Sequence, residues 1–150
     1  MKLRTSLAVA TAVAALAGSA LAQPKPENFV KQRQSAFALI GWYFSPLGPV
    51  ARGEQPFNKA DAEARTARLV VLSAMPWEGF APGTDKVGNT KAKPEIWTQQ
   101  AKFKAAADKM QEEIKKLADL AKAGDEAGFK RQVGVVGGAC KACHDDFRMQ

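Results

Sequence analysis

The stretch that decides the fold is Asp125–Arg148, DEAGFKRQVGVVGGACKACHDDFR. Phe129, Val133, Val136, Cys140, Cys143 and Phe147 recur in steps of four and three, which predicts a helix with one buried stripe, capped at its start by Asp125. The two cysteines lie on that stripe, so whatever they bind belongs to the protein interior. Cys140-Lys141-Ala142-Cys143-His144 has the C-x-x-C-H spacing in which two thiols bond the vinyl groups of a haem and the adjacent imidazole ligates its iron. On a helix, residues three and four apart share a face, so Cys140, Cys143 and His144 can address one object. The competing chemistries are a disulfide or redox dithiol, and a zinc site. Zinc needs more ligands than two cysteines and one histidine confined to five residues. A thioredoxin-like pair needs a βαβ context, and no segment shows sustained alternation bounded by hairpin turns. Gly134, Gly137 and Gly138 each cost about 1 kcal/mol relative to Ala inside a helix. Close approach of a flat porphyrin to the backbone would explain them; so would tight helix–helix packing.

Working outward, the preceding helix follows Pro94 and carries the stripe Ile96, Phe103, Ala107, Met110, Ile114, Leu117 and Ala121, with Gly124 as its C-cap. A first helix is expected from about Glu27 to Phe44, with Val30, Arg33, Phe37, Ile40 and Phe44 inward and Pro46 and Pro49 ending or kinking it. A loop through Gly53 and Pro56 reaches Asn58, which caps a second helix extending to about Met75 with Ala64, Ala67, Val71 and Ala74 inward and the run Leu69 to Leu72 widening that face. Trp77 to Pro94 reads as a long irregular connection. Four amphipathic helices, two short connections and one long one predict an all-α, antiparallel four-helix bundle with haem c attached covalently to the C-terminal helix.

Residues 1–22 are set apart as a secretory signal peptide. Lys2 and Arg4 precede an apolar run from Leu7 to Leu16, and Ala20-Leu21-Ala22 offers small residues for cleavage. Thr11, Gly18 and Ser19 interrupt the run before it reaches the length of a membrane span. The expected product is one domain, residues 23–150, in the periplasm. The net charge of +7 is spread among acidic residues, which speaks against nucleic acid or membrane as a partner.

With haem at the motif, the second axial ligand decides function. His144 fills one position, and the chain has no other histidine. Met75 and Met110 look like helix-end and core residues, and Met149 lies beside His144 on the same helix. A first helix facing His144 offers Phe37, which does not ligate iron. The expectation is five-coordinate iron under a crowded apolar pocket open to small uncharged diatomic gases. Ligation by a lysine or by Met110 would instead give a low-spin electron-transfer cytochrome. Arg33 stands where an apolar residue belongs: either it meets a haem propionate, or its stem lines the core while the guanidinium reaches water. Arg148, four residues after His144, is expected to flank the proximal side, and it also complements the helix dipole. No paired acid and base suggests an enzyme. Trp42 and Tyr43 flank Phe44 and cannot all point inward, so an apolar patch and a homodimer through the first helix are expected.

These motifs together resemble the cytochromes c′. The resemblance rests on the terminal C-K-x-C-H with Phe147-Arg148, on Lys31-x-Arg33-Gln34, and on Ser73-Ala74-Met75-Pro76-Trp77 followed by Phe80 and Pro82-Gly83-Thr84. It covers essentially all of residues 23–150. It implies a periplasmic, homodimeric, high-spin haem c protein that binds NO and CO, with roles in NO handling or electron transfer. By the same resemblance His144 matches the axial ligand, Cys140 and Cys143 the thioether sites, and Arg148 the proximal arginine. Arg33 and Gln34 match the propionate neighbourhood, Phe37 the distal residue, and Trp77 and Phe80 the loop aromatics near the haem. Phe103 and Phe147, on the two C-terminal stripes, complete the expected haem surround. Many members carry Leu or Met where this chain has Phe37, so a more obstructed distal side is implied.

Overall fold

Residues 24–150 are described by a computed structural model; the expected signal peptide lies outside the described residues. Proline opens the first helix, α1 (Pro26–Phe44), in the turn where a missing N–H costs nothing. Pro46 and Pro49 do end α1, but they also start a short helix, α2 (Leu47–Ala51), where a plain loop was expected. Proline in a first helical turn is tolerated for the same reason as in α1. Asn58 caps α3 (Lys59–Leu72), its side chain accepting from the Asp61 N–H at 3.0 Å. That helix stops short of Met75 and passes into a 3₁₀ turn, Pro76–Gly79. The stripe after Pro94 divides into α4 (Glu95–Thr98) and α5 (Gln100–Ala123), because the backbone leaves helical geometry at Gln99. Gly124 takes the left-handed conformation (φ 71°) that ends α5. Asp125 then accepts from the Gly128 N–H at 2.9 Å and opens α6 (Glu126–Phe147).

The four long helices form an antiparallel bundle in which α6 packs on α5, α5 on α3 and α3 on α1; α2 lies against α6. The pair α1 and α6 makes no comparable contact. Leu69, Leu117, Ala121 and Phe129 are wholly buried, with Ile114 and Val136 beside them. The α5 and α6 stripes are therefore those the spacing predicts. Along α3 and its C-terminal end the alanine stripe fails: Ala64, Ala67, Val71 and Ala74 face outward, and Ala62, Thr66 and Ser73 face inward with Leu69, the one fully buried member of the Leu69–Leu72 run. Alanine on both faces removes the polarity contrast, and Thr66 is buried at little cost because its hydroxyl donates to Ala62 O at 2.8 Å.

One buried acid braces the α5–α6 seam. Glu113 is buried and receives Lys109 Nζ at 2.7 Å, Lys116 Nζ at 3.2 Å and Gln132 Nε2 of α6 at 2.5 Å. The hydrogen bonds from Lys109, Gln132 and Lys116 hold its carboxyl at about 2, below the ordinary 4.5. A folded-state pKa below the unfolded one contributes stability above the unfolded value and loses it as pH falls through the folded value. Glu113→Gln is expected to lower the melting temperature by a few degrees at neutral pH. The deficit should shrink as pH falls from about 4.5 towards 2; thermal melts across that range check it.

Candidate haem-binding site

The side of the bundle between α1 and α6 is a cavity of about 680 Å³, within the size range of cofactor pockets. Helix α1 lines it with Phe37, Ile40 and Phe44, α5 with Met110, and α6 with Cys140, Cys143 and His144. A second cavity, of about 190 Å³, shares Phe37, Cys143, His144 and Arg148 with the first and adds Arg33, Gln34, Phe80, Phe103 and Phe147. Trp77 and Cys140 line the larger one. Every residue that the resemblance places at the haem thus lines one cavity or both.

Chemistry of the donor set fits a covalently held haem. Cys140 and Cys143 are unbridged and half-buried. Burial pushes both thiols up, Cys143 to about 11 with Cys140 and Asp146 adding to the effect; a redox dithiol needs the opposite. Burial first, and then Arg148, pushes the His144 imidazole down, favouring the neutral form that ligates metals. Among the described residues no group of three or more His, Cys, Asp or Glu side chains is arranged to hold a metal ion by itself. A Cβ on Gly137 would meet nothing within 4 Å, and this residue faces the larger cavity. The same is true of space around Gly134 and Gly138, but both are exposed, so tight helix packing explains none of the three. Nothing in the structure explains Gly134 and Gly138.

An aromatic wall stands beside the cavities. Phe37 meets Trp77 edge-on at 5.9 Å between ring centroids, Trp77 meets Phe103 at 5.7 Å, and Phe103 meets Phe80 at 4.9 Å and Phe147 at 5.2 Å. Trp97, which the sequence did not single out, joins it. Its indole N–H is shared between Phe80 O and Ala81 O, both at 3.2 Å.

Arg33 is only 3% exposed. Its guanidinium does not reach water, contrary to one of the two sequence expectations. Nη1 donates to Gly79 O (2.5 Å) and Thr84 Oγ1 (2.8 Å), and Nη2 to Thr84 O (2.9 Å) and Thr90 Oγ1 (2.7 Å). Its carbon centre lies 4.7 Å from the Phe80 ring and 5.8 Å from Trp97. All four acceptors are neutral, and no carboxylate pairs with it among the described residues. Burial pushes its pKa down from the ordinary value. Gly79 is required here: a Cβ would lie 2.6 Å from Arg33 Cβ and 2.7 Å from Phe29 O, so a side chain would lift the 3₁₀ turn off α1 and take the Gly79 carbonyl with it.

The C-terminal residues depart from the helical extrapolation. Helix α6 ends at Phe147, and Arg148 is extended (φ −122°, ψ 131°), so it does not reach the cavity as the next turn of helix. It lines both cavities because the tail turns back against Lys91–Lys93. Ala92 and Arg148 form an antiparallel bridge; Lys93 N–H donates to Phe147 O at 2.9 Å, and Met149 N–H to Lys91 O at 2.8 Å. Met149 is therefore off the helix and lines the larger cavity together with His144 and Arg148. Thr90 and the Lys91–Lys93 segment carry no motif that sequence reasoning could have used; Thr84 belongs to the Pro82-Gly83-Thr84 motif, but nothing in the residue order ties it to Arg33.

The family model described as Cytochrome C′ matches residues 28–148. The cytochrome c′ of Rubrivivax gelatinosus is 45% identical over 124 residues, 83% of this chain and 96% of that protein. That of Alcaligenes xylosoxydans is 43% identical, over 83% of this chain and 95% of the relative. The crystal structure of the Rubrivivax gelatinosus protein superposes with a TM-score of 0.79, covering 83% of this chain and 97% of that one. A nitric oxide complex of a mutant Alcaligenes xylosoxidans cytochrome c prime, 42% identical, also gives 0.79, covering 84% of this chain and 97% of that one. On sequence, fold and the arrangement of its cysteines and histidine, the chain belongs to the cytochrome c′ family.

Proposed function

We propose that this protein is a periplasmic haem c protein, attached through Cys140 and Cys143 and ligated by His144, whose five-coordinate iron binds NO. One observation carries the reading. The cavity joins the C-x-x-C-H motif to a wall of α1 formed by Phe37, Ile40 and Phe44, none of which ligates iron. Two thioethers also line the cavity, that of Met149 in the tail, 42% exposed, and that of Met110 on α5, buried in the core. Haem, when bound, supplies an iron that takes up diatomic gases. The chain's own residues line the site with the aromatic wall, lower the imidazole's affinity for a proton, and place the Arg33 charge, with Gln34 beside it on the smaller cavity, where it would attract the propionates. The NO complexes of the Alcaligenes relative support the same chemistry for this chain. The site offers no paired acid and base, so NO carriage, buffering or sensing fits it better than turnover. For location, the basic and apolar leader pattern of residues 1–22 supports export; no described helix is long and apolar enough to cross a membrane.

The protein also acts as a homodimer in this reading. Leu39 and Trp42 of α1 are 47% and 73% exposed, and Val71 of α3 is 66% exposed. Leu39, Tyr43, Ala67 and Val71 line one shallow groove. A two-fold interface through α1 would cover this patch, and the outward alanines of α3 extend it. Sedimentation should give a dimer at micromolar concentration and a monomer for Trp42→Glu; a native monomer would contradict the interface.

Phe37 gives the reading its selectivity. It touches Trp77 and Phe80 and lines both cavities, so its ring narrows the gas side. Titration of the ferrous protein should give much tighter binding of NO than of CO. Phe37→Ala should raise CO affinity by roughly tenfold or more, the scale on which a pocket discriminates by size. Unchanged CO affinity in the variant would remove Phe37 as the obstruction.

A further inference from the structure

The two arginines of the site come from opposite ends of the chain, Arg33 from α1 and Arg148 from beyond α6, and the structure records no contact between them. Both line the smaller cavity with His144. A single hydroxyl oxygen joins their supports. Thr90 Oγ1 accepts from Arg33 Nη2 at 2.7 Å and from the Ala92 N–H at 3.1 Å. The second bond is a local side-chain turn that fixes the direction of the chain from Thr90 to Ala92. Ala92 is the residue bridged to Arg148, and the Lys93 and Met149 amides close the two backbone bonds of that bridge. Lys93 Nζ adds a bond to Asp145 O at 2.8 Å, and Lys91 Nζ one to Gln150 O at 3.0 Å.

We infer that Thr90 is a positioning residue: its hydroxyl fixes the Lys91–Lys93 segment to the buried Arg33 guanidinium and thereby sets where Arg148 stands beside His144. The inference rests on the proposed haem site for its effect on iron, and on the hydrogen bonds alone for its effect on the tail. Valine has the shape of threonine without the oxygen, so Thr90→Val would leave an Arg33 N–H and the Ala92 N–H without their acceptor. Both are groups whose loss of a partner is felt. Serine keeps the oxygen.

Two readouts test this in the haem-loaded protein, with Thr90→Val and Thr90→Ser compared to the native chain. Hydrogen exchange at the Lys93 and Met149 amides should accelerate roughly tenfold or more in Thr90→Val and return to the native rate in Thr90→Ser. The iron–histidine stretching band of the ferrous protein should shift in the valine variant and return in the serine variant. Native-like exchange in Thr90→Val would overturn the relay, and so would faster exchange with an unmoved iron–histidine band. If the valine variant is not recovered folded, Thr90→Ala carries the same two readings. A native protein without covalent haem would defeat the proposed function, while the exchange arm would still judge the hydrogen-bond relay.

Discussion

The site depends on one buried charge. Arg33 sits at a core position of α1 with its guanidinium inside the protein, where an uncompensated cation is costly. The chain compensates it with two carbonyls, two hydroxyls and two aromatic faces. Those partners draw the 3₁₀ turn at Pro76–Gly79 and the connection through Thr84 and Thr90 onto α1. The same connection brings in Phe80 and presents the Lys91–Lys93 segment to the C-terminal tail. A long loop with little regular structure is thereby ordered around a cation whose neighbours carry no negative charge. A propionate at the cavity would supply the missing counter-charge through space, because the four terminal N–H groups of Arg33 are already committed to protein acceptors.

The bundle solves a packing problem by leaving one seam unpacked. Three of its four helix pairs interlock, and α1 and α6 are separated by the cavity. Cys140 and Cys143 continue the stripe of Phe129, Val133 and Val136 into that cavity. One half of α6 therefore builds the core, and the other half addresses whatever fills the α1–α6 seam. The aromatic wall sets the limits of that space, and α1 contributes hydrocarbon to it without a ligating atom. In the proposed function, an attachment motif on a helix becomes a gas site through what the facing helix lacks.

Much of this is legible in the residue order. The α5 and α6 stripes, the caps at Asn58, Gly124 and Asp125, and the C-x-x-C-H motif all rest on local spacing, and local spacing survives folding. The inward face of α3 is not legible in the residue order, because alanines on both sides give no contrast and because a threonine can hide its hydroxyl against its own helix. The break at Gln99 and the short helix α2 depend on packing that no local signal encodes. Arg148 was expected at the site for a helical reason, and it arrives there by an extended tail pinned to Lys91–Lys93. The roles of Trp97, Thr84 and Thr90 are not legible in the residue order, because they exist only once Arg33 is buried. Reading a cation in an apolar stripe as a flag for such a cluster would have pointed to acceptors nearby, though not to which ones.

The account stands on iron with no protein ligand across from His144. The ultraviolet–visible spectrum of the purified ferrous protein, with no ligand added, tests this most directly. Broad high-spin bands are the expected result. Sharp, split low-spin bands would contradict the account and place a protein group, with Met110 the first to examine, in the sixth position.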